Sequence, residues 1–314
     1  MEPCYLAFDV GGSKYIVGVV TQSGKVVDTR RGVWDSLTEK GILQTLLAQA
    51  RDLLAGVDCR PVACGVTIPG LADPEKGLWV EASFSGIRNF AICQQLTDAL
   101  GLPAYCDNDG QAYALAERVF GCCKDVQDFI YMNVSNGIGG ALVSGGRLLY
   151  GHNGTACEPG HCRVVPNGRL CKCGNRGCLE MHAAGPAIAR SYQEAGGAPS
   201  ADGQIASAKE IAQRARAGEA LARAVFEQEG TLLGTVLAVE INLLNPQKVV
   251  LGGGVAQAYD LFGPSLEQTV HQQVYRGANP DYTIQPTPLG YLAGLYGAAA
   301  IALLKTGERK EEKR

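Results

Sequence analysis

The sequence predicts an α/β fold with mixed sheets, arranged as two similar lobes. Two segments, near residues 5–27 and 129–149, each give a strand, a glycine-rich turn, a second strand, another turn and a third strand. Stretches with apolar residues at helical spacing follow each of them. A length of 314 residues exceeds what one compact core usually holds. We therefore expect an internal duplication, with two lobes facing each other around a cleft.

The first glycine turn joins two apolar runs, at residues 5–8 and 15–20, through the segment Asp9-Val-Gly-Gly-Ser-Lys14. Glycine has no Cβ, so backbone N–H groups in such a turn can approach phosphate oxygens closely. Asp9 leaves its strand just before the turn, which places its carboxylate to hold Mg²⁺ through water. Taken alone, one such turn is more typical of a structural hairpin.

Two further turns favour phosphate binding over a structural hairpin. Ser135-Asn136-Gly137 follows the run at 129–132, and Gly252-Gly253-Gly254 follows a third strand pattern at 249–251. Neither of the first two turns precedes a helix, which excludes a dinucleotide fingerprint, and the Walker spacing is absent. The candidate ATP contacts are Asp9, Gly11, Gly12, Ser13, Lys14, Ser135, Asn136, Gly137, Gly253 and Gly254.

Helical spacing of apolar residues organises the rest of the chain. The spacing predicts helices near 42–54, over 220–244 and over about 293–305. We expect an N-terminal lobe at 1–118 that the last helix joins, and a C-terminal lobe at 119–292. The charge-alternating segment 306–314 is predicted to be a solvated tail.

The cysteines include one cluster with metal-ligand spacing. His161 precedes Cys171, Cys173 and Cys178, with glycines that let the chain wrap, and this set suits tetrahedral Zn²⁺. Four protein ligands leave no open position, so the metal is expected to be structural. Incidental thiols are the alternative, since the chain has 12 cysteines, and Cys157 or Cys162 could replace a ligand.

Composition excludes several classes of partner. The net charge of −3 and the absence of a Lys/Arg stripe argue against nucleic acid. No run approaches the roughly 20 apolar residues that span a bilayer, and the N-terminus lacks the pattern of a signal peptide. The cytoplasm is therefore the expected compartment.

Taken in order, the motifs resemble those of the ROK family over nearly the whole chain. They are the Asp9–Lys14 turn, Asn108-Asp109, Glu158-x-x-His161, Cys171-x-Cys173-x₄-Cys178 with Glu180, and Asn245-Pro246 ahead of Gly252–Gly254. The cysteine motif is the most specific of these, while the glycine turns are shared with wider kinase groups. The resemblance implies an ATP-dependent sugar kinase with an actin-like ATPase (ribonuclease H-like) fold, in which two loops hold the triphosphate.

The resemblance also implies roles for single residues. Asp109 would be the general base that takes the proton of a hydroxyl, expected at O6 of glucose or a related hexose or N-acetylhexosamine. Without the resemblance, Asp109 is also a candidate helix N-cap, because a helical pattern begins at this residue. The implied sugar contacts are Gly70, Asn108, Asp109, Glu158, His161 and Glu180. The resemblance further implies structural zinc, Mg²⁺ bound with ATP, and a homodimer or dimer of dimers.

Two departures from the family pattern leave alternatives open. The second turn has Ser135-Asn136 where the family usually has Thr-Gly, which favours a catalytically silent sugar sensor, whereas the retained acids favour a kinase. The segment at 82–90 differs from the family's sugar region, so Ser83, Ser85 and Arg88 are either sugar contacts or a polar loop. Repressors of the family place a helix-turn-helix before the first glycine turn, which here begins at Asp9.

Overall fold

The computed structural model describes residues 2–82, 84–275, 277 and 281–311, with the side chains of 308–311 left aside. The chain divides into two compact units. The first comprises the chain to Asp125, Gly151–Thr155 and the chain from Tyr291, and the second comprises Val126–Tyr150 and Ala156–Gly290. The first unit continues past the predicted boundary at residue 118, because the turn after that point remains hydrogen-bonded to Glu117 through Gly121 and Cys123.

The first unit is built on a five-stranded mixed sheet with helices beside it. Its elements are β1 Cys4–Val10, β2 Lys14–Thr21, β3 Val26–Val33, α1 Glu39–Gly56, β4 Pro61–Ile68, β5 Leu71–Asp73, β6 Leu78–Glu81, β7 Arg88–Phe90, α2 Ile92–Leu100, β8 Ala104–Asn108 and α3 Asp109–Val119. The strand order is β3-β2-β1-β4-β8, and β5-β6-β7 form a separate small sheet. Strands β1 to β3 pair antiparallel, whereas β1, β4 and β8 run parallel. The parallel strands therefore end at the same edge of the sheet.

Helix α1 shows how the apolar pattern becomes a packed face. Thr38 caps its first turn, because the threonine hydroxyl accepts a hydrogen bond of 3.2 Å from the backbone N–H of Gly41. The residues that recur at helical spacing on the inner face, Ile42, Leu46, Ala50 and Leu53, are fully buried. They join the core cluster that also contains side chains of β1, β2 and β4.

The second unit repeats this sheet topology. Its elements are β9 Phe129–Val134, β10 Ile138–Ser144, β11 Arg147–Leu148, α4 Glu180–Ala183, α5 Gly185–Glu194, α6 Ala208–Arg216, α7 Ala220–Leu244, β12 Lys248–Gly252, α8 Tyr259–Gln273 and β13 Thr283–Pro286. The order β11-β10-β9-β12-β13 has an antiparallel meander on one side and parallel strands on the other, as in the first unit. The duplication and the mixed sheets that the sequence predicts are both present.

Two glycines let the long helix α7 lie close to α8. A Cβ at Gly230 would lie 2.2 Å from the carbonyl oxygen of Phe262, and one at Gly234 would lie 2.7 Å from that of Leu266. The helix ends where Asn245 adopts a left-handed conformation with φ of 48°. Its bounds coincide with the stretch 220–244 expected from the sequence.

The C-terminal helix α9, Ala293–Glu311, belongs to the first unit, where it packs on β1, β4 and α3. It is helical through most of the predicted solvated tail, and residues 312–314 lie outside the described residues. No helix in the described part of the chain is both long enough and apolar enough to cross a membrane.

The contact between α9 and β4 gives a stability prediction. A Cβ at Gly65 would lie 1.7 Å from the backbone oxygen of Ala298, so Gly65→Ala forces the helix away from the sheet. We expect a loss of about 1–3 kcal/mol or more in the free energy of unfolding. Gly56→Ala is the matched control, because its nearest neighbour is an Arg30 nitrogen at 4.0 Å. Chemical denaturation of both variants tests this; equal stability would contradict the close packing.

Candidate functional site

Asp9 stands at the carboxyl end of β1, held by a threonine on the neighbouring strand. The hydroxyl of Thr67 donates to Asp9 Oδ1 over 3.0 Å and accepts from the N–H of Val10 over 3.2 Å. Burial raises the pKa of Asp9, while the Thr67 hydrogen bond and the charge of Lys14 oppose that rise. A cation placed beside this carboxylate would favour its ionised form.

The backbone of the first glycine turn is held by hydrogen bonds, while most of its residues are exposed. The N–H of Gly11 donates to the backbone oxygen of Lys14 over 2.9 Å, and the indole N–H of Trp34 donates to the backbone oxygen of Gly11 over 2.8 Å. Gly12, Ser13 and Lys14 are exposed. The turn therefore has a backbone held by two hydrogen bonds and three exposed residues after Gly11.

Two aromatic residues that the sequence did not indicate also border this turn. The Phe84 ring would lie 3.6 Å from a Cβ at Gly12, and the Lys14 ammonium stands 4.7 Å from the ring centroid of Tyr291. The cation–π contact gives the lysine a defined position beside the turn. Sequence spacing carries no signal for either contact, because Phe84 and Tyr291 lie far along the chain from the turn.

Asn108 and Asp109 stand where β8 passes into α3. Asn108 is the N-cap, with its Oδ1 accepting from the N–H of Gly110 over 2.8 Å, and Asp109 is the first helical residue. Asp109 Oδ1 also accepts from the N–H of Gly110, over 2.9 Å. The capping role that the sequence left open for Asp109 is therefore carried by its neighbour.

Gly70 brings a loop against this helix start. Asn108 Nδ2 donates to the backbone oxygen of Gly70 over 2.6 Å. Gly70 has φ of +96°, and a Cβ there would lie 2.4 Å from the backbone oxygen of Glu81. Only glycine fits both constraints. The hydrogen bond from Asn108 brings together three of the expected sugar contacts in the first unit, namely Gly70, Asn108 and its neighbour Asp109.

In the second unit, the turn after β9 is tied to Glu180. The N–H of Ser135 donates to the backbone oxygen of Gly137 over 2.9 Å, and Glu180 Oε2 accepts from the N–H of Ile138 over 3.0 Å. A Cβ at Gly137 would lie 2.6 Å from that carboxylate oxygen. Asn136 is exposed and does not adopt a positive φ, so asparagine causes no backbone strain there.

The third glycine turn packs against the end of β9. Gly253 has φ of +90°, and a Cβ there would lie 2.2 Å from the backbone oxygen of Val134. Gly254 is exposed, and a Cβ there would meet no atom within 4 Å. Gly253 is thus required by the fold, whereas the open space beside Gly254 is available to a ligand.

Glu158 and Glu180 lie near one another in the second unit. Desolvation of its carboxyl group raises the pKa of Glu158, with His161 opposing the rise and the negative charge of Glu180 adding to it. The short 3₁₀ helix Pro159–His161 packs on the start of β10, because a Cβ at Gly160 would lie 2.2 Å from the backbone oxygen of Ile138. Carboxylates are hydrogen-bond acceptors, so each of these two groups could accept from a hydroxyl group.

The expected metal ligands converge. The ligand atoms of His161, Cys171, Cys173 and Cys178 all lie within 4.8 Å of one another. Cys171 Sγ is 3.7 Å from His161 Nδ1, and Cys173 Sγ is 3.6 Å from Cys178 Sγ. Tetrahedral zinc, with bonds of about 2.0–2.3 Å, separates its ligand atoms by about 3.5–3.8 Å. The residues present fit zinc, and Cys157 and Cys162 are not part of the cluster.

The loop that carries these ligands is anchored by its own backbone and by one arginine. A Cβ at Gly177, where φ is +81°, would lie 1.8 Å from the backbone oxygen of Val165. Arg169 donates to the backbone oxygen of Met181 over 3.0 Å and to Glu194 over 2.6 Å. These contacts connect the ligand loop to α4 and α5.

The segment at 82–90, which departs from the family pattern, contains one serine with a buried hydroxyl and one exposed arginine among the candidate sugar contacts. Ser83 lies outside the described residues, and Ser85 Oγ is buried with no hydrogen-bond partner in the described part of the chain. Arg88 is exposed and lies 3.4 Å from Glu81 in a surface ion pair. The ion pair gives Arg88 a structural partner within the small sheet.

Comparisons with known proteins agree with these motifs. The sequence profile of the ROK family matches residues 5–305. The chain is 31% identical to the glucokinase of Thermotoga maritima over 96% of this chain and 98% of that protein.

Two solved structures resemble this one over nearly its whole length. A ROK family glucokinase from Streptomyces griseus, in complex with glucose and AMPPNP, has a TM-score of 0.83 and 30% identity, covering 95% of this chain and 99% of that one. A ROK family transcriptional regulator, a homologue of the Escherichia coli MLC protein, has a TM-score of 0.87 and 30% identity, covering 96% and 78%. The actin-like ATPase fold, with mixed sheets in two similar lobes, is confirmed.

Proposed function

The chain belongs to the ROK family, and from this we propose that it is a sugar kinase that transfers the γ-phosphoryl group of ATP to a hexose hydroxyl. One observation carries the proposal. The edge of the first sheet that presents Asp9 and the open glycine turn also presents Asn108 and Asp109, two strands away. The turn proposed to bind phosphate and the carboxylate proposed to accept a proton are thus carried by the same edge of one sheet. The similarity to a glucokinase crystallised with glucose and AMPPNP supports the same reaction.

Backbone amides and one carboxylate would receive the nucleotide. The turns Gly11–Lys14 and Ser135–Gly137 are each proposed to contact phosphate groups, and Gly253 and Gly254 are proposed to contact the nucleotide. Mg²⁺ bound with ATP would neutralise phosphate charge, and Asp9 would hold it through water. Lys14, which contacts the Tyr291 ring, would add a positive charge beside the turn.

The acceptor hydroxyl would be positioned by the remaining site residues. Asp109 takes the proton of the sugar hydroxyl, for which O6 of glucose, a related hexose or an N-acetylhexosamine is proposed. Gly70, Asn108, Glu158, His161 and Glu180 are the proposed sugar contacts. Phosphoryl transfer needs mainly positioning and charge neutralisation, which groups held by backbone contacts can supply.

Zinc is proposed as a structural metal at His161, Cys171, Cys173 and Cys178. With four protein ligands its coordination would be complete, so zinc would have no open position for a substrate. Its role would be to fix the loop that carries His161. Glu158 lies at the other end of the same 3₁₀ helix. A homodimer or dimer of dimers remains a prediction from the family.

A catalytically silent sugar sensor is the second candidate. It is favoured by the similarity to a transcriptional regulator of the same family and by Ser135-Asn136 in the second turn. The kinase is preferred because Asp9, Asp109 and Glu158 are all present and Asn136 causes no backbone strain. ADP release with Mg-ATP across a panel of hexoses and N-acetylhexosamines separates the two, since a sensor binds sugar without turnover.

Asp109→Asn tests the proposed base. Asparagine keeps the size of the side chain and an oxygen for the Gly110 N–H, but it cannot take a proton. We expect kcat to fall by about 10²–10⁴-fold while sugar affinity is retained. Asp98→Asn, at an exposed position in α2, is the control. Steady-state kinetics and calorimetric sugar binding measure both effects, and full activity of Asp109→Asn would remove the residue from this role.

Gly254→Ala tests whether the third turn meets the nucleotide. The added methyl group has no protein neighbour within 4 Å, so the melting temperature should not change. If the nucleotide occupies that space, ATP affinity should weaken about tenfold, or ~1.4 kcal/mol. Gly307→Ala, equally open but in α9, is the control. Unaltered ATP binding by Gly254→Ala would place the nucleotide elsewhere.

Chelation tests the metal. We expect elemental analysis to find zinc in the purified protein and a strong chelator to lower the melting temperature and the sugar affinity together. Cys173→Ser should lose the metal, whereas Cys162→Ser, at an exposed cysteine outside the cluster, should keep it. The assignment fails if chelation leaves the melting curve unchanged, or if Cys162→Ser is the variant that loses zinc.

A further inference from the structure

Thr67 occupies the middle of a polar row that crosses the first sheet. The parallel register sets Asp9 beside Thr67 and Thr67 beside Asp107. Thr67 is completely buried. A buried hydroxyl needs partners, and here it accepts from the N–H of Val10 and donates its only proton to Asp9 Oδ1.

These two bonds define the direction of the Thr67 proton. Since the hydroxyl accepts from a backbone amide on one side, its hydrogen points to the aspartate on the other. Asp107, the other acid in the row, accepts from the backbone N–H of Asn108 over 2.8 Å. The Thr67 hydroxyl donates to Asp9 through the single oxygen Oδ1.

Helix α9 packs closely against the Asp9 carboxylate. A Cβ at Gly294 would lie 2.3 Å from Asp9 Cγ and 2.4 Å from each carboxylate oxygen. A larger residue there would displace the carboxylate, so helix α9 limits the space that the carboxylate can occupy, while Thr67 holds one of its oxygens by a hydrogen bond. The positive charge of Lys14 acts on the Asp9 carboxylate and opposes the rise in its pKa that burial causes.

We propose that Thr67 is a positioning residue for the nucleotide-bound metal: its hydroxyl holds Asp9 in the one orientation that can receive the waters of Mg²⁺. This inference rests on the proposed function. A carboxylate that binds a metal through water must present its oxygens in a fixed direction, because magnesium keeps near-ideal octahedral geometry. Orientation by a hydrogen bond to a ligand carboxylate is a common way of tuning a metal site.

The test separates the hydroxyl from the shape of the side chain. Thr67→Val keeps the shape and removes the hydroxyl, whereas Thr67→Ser keeps the hydroxyl and removes a methyl group. Binding of AMPPNP, measured by calorimetry with Mg²⁺ and again with EDTA, isolates the contribution of the metal. We expect Thr67→Val to weaken binding about 5- to 10-fold with Mg²⁺ and to leave binding in EDTA and glucose binding unchanged. Thr67→Ser should bind within about twofold of the wild type with Mg²⁺.

A double-mutant cycle with Asp9→Asn shows whether Thr67 acts through Asp9. In that background, Thr67→Val should have no further effect on the Mg²⁺-dependent part of AMPPNP binding. Thr67→Val leaves the buried Val10 N–H without its acceptor, so its folding is checked by thermal melting. If it does not fold, Thr67→Ala is carried through the same measurements in its place.

Three results would overturn the proposal. Equal losses for Thr67→Val and Thr67→Ser would show that packing matters and the hydroxyl does not. Equal losses with Mg²⁺ and with EDTA would show a general structural effect. Additive losses in the cycle would show that Thr67 does not act through Asp9. A wild-type protein that binds no AMPPNP would instead reject the proposed kinase function itself, and this role with it.

Discussion

The register between three parallel strands, β1, β4 and β8, is the constraint on which the candidate site of the first unit depends. It sets Asp9 beside Thr67 and Ile68 beside Asn108. A slip by one residue in either pairing would turn the whole row of side chains to the opposite face of the sheet. Backbone hydrogen bonds along the strands therefore decide which polar groups meet at the edge, and the side chains only refine their orientation.

Close packing of the C-terminal helix holds that edge in place. Small residues along α9 allow backbone contact with the rest of the unit: Gly297 faces the backbone of Ala112 in α3, and Ala298 faces Gly65 in β4. Close-packed interiors resist small displacements, because every shift costs contacts on one side and creates clashes on the other. A helix pressed this tightly against both the sheet and α3 keeps the glycine turn and the helix start of Asp109 at a constant separation.

Local patterns in the sequence predicted many of the helices and strands and the set of metal ligands. They did not predict contacts between residues that are far apart in the chain. Helix α7 and the ligand set of His161 with three cysteines follow from spacing, because periodicity and ligand chemistry act over short stretches. The N-cap is Asn108 and not Asp109 because β8 ends at Asn108 and α3 begins at the next residue. The spacing of residues in the sequence does not fix such a boundary to within one residue. The contact of Gly65 with Ala298 joins residues far apart in the chain, and only the packed structure shows it.

Glu180 shows why a family role and a structural role need to be considered together. The resemblance assigns it to the sugar, while its Oε2 accepts from the backbone N–H of Ile138 at the start of β10 and would lie 2.6 Å from a Cβ at Gly137. One carboxylate thus supports the second glycine turn and adds its negative charge to the desolvation that raises the pKa of Glu158. A group anchored to the turn by one oxygen has its second oxygen directed by the same bond. The proposed sugar contact would therefore be pre-organised by the turn proposed to bind phosphate, which would join the two binding functions within the second unit.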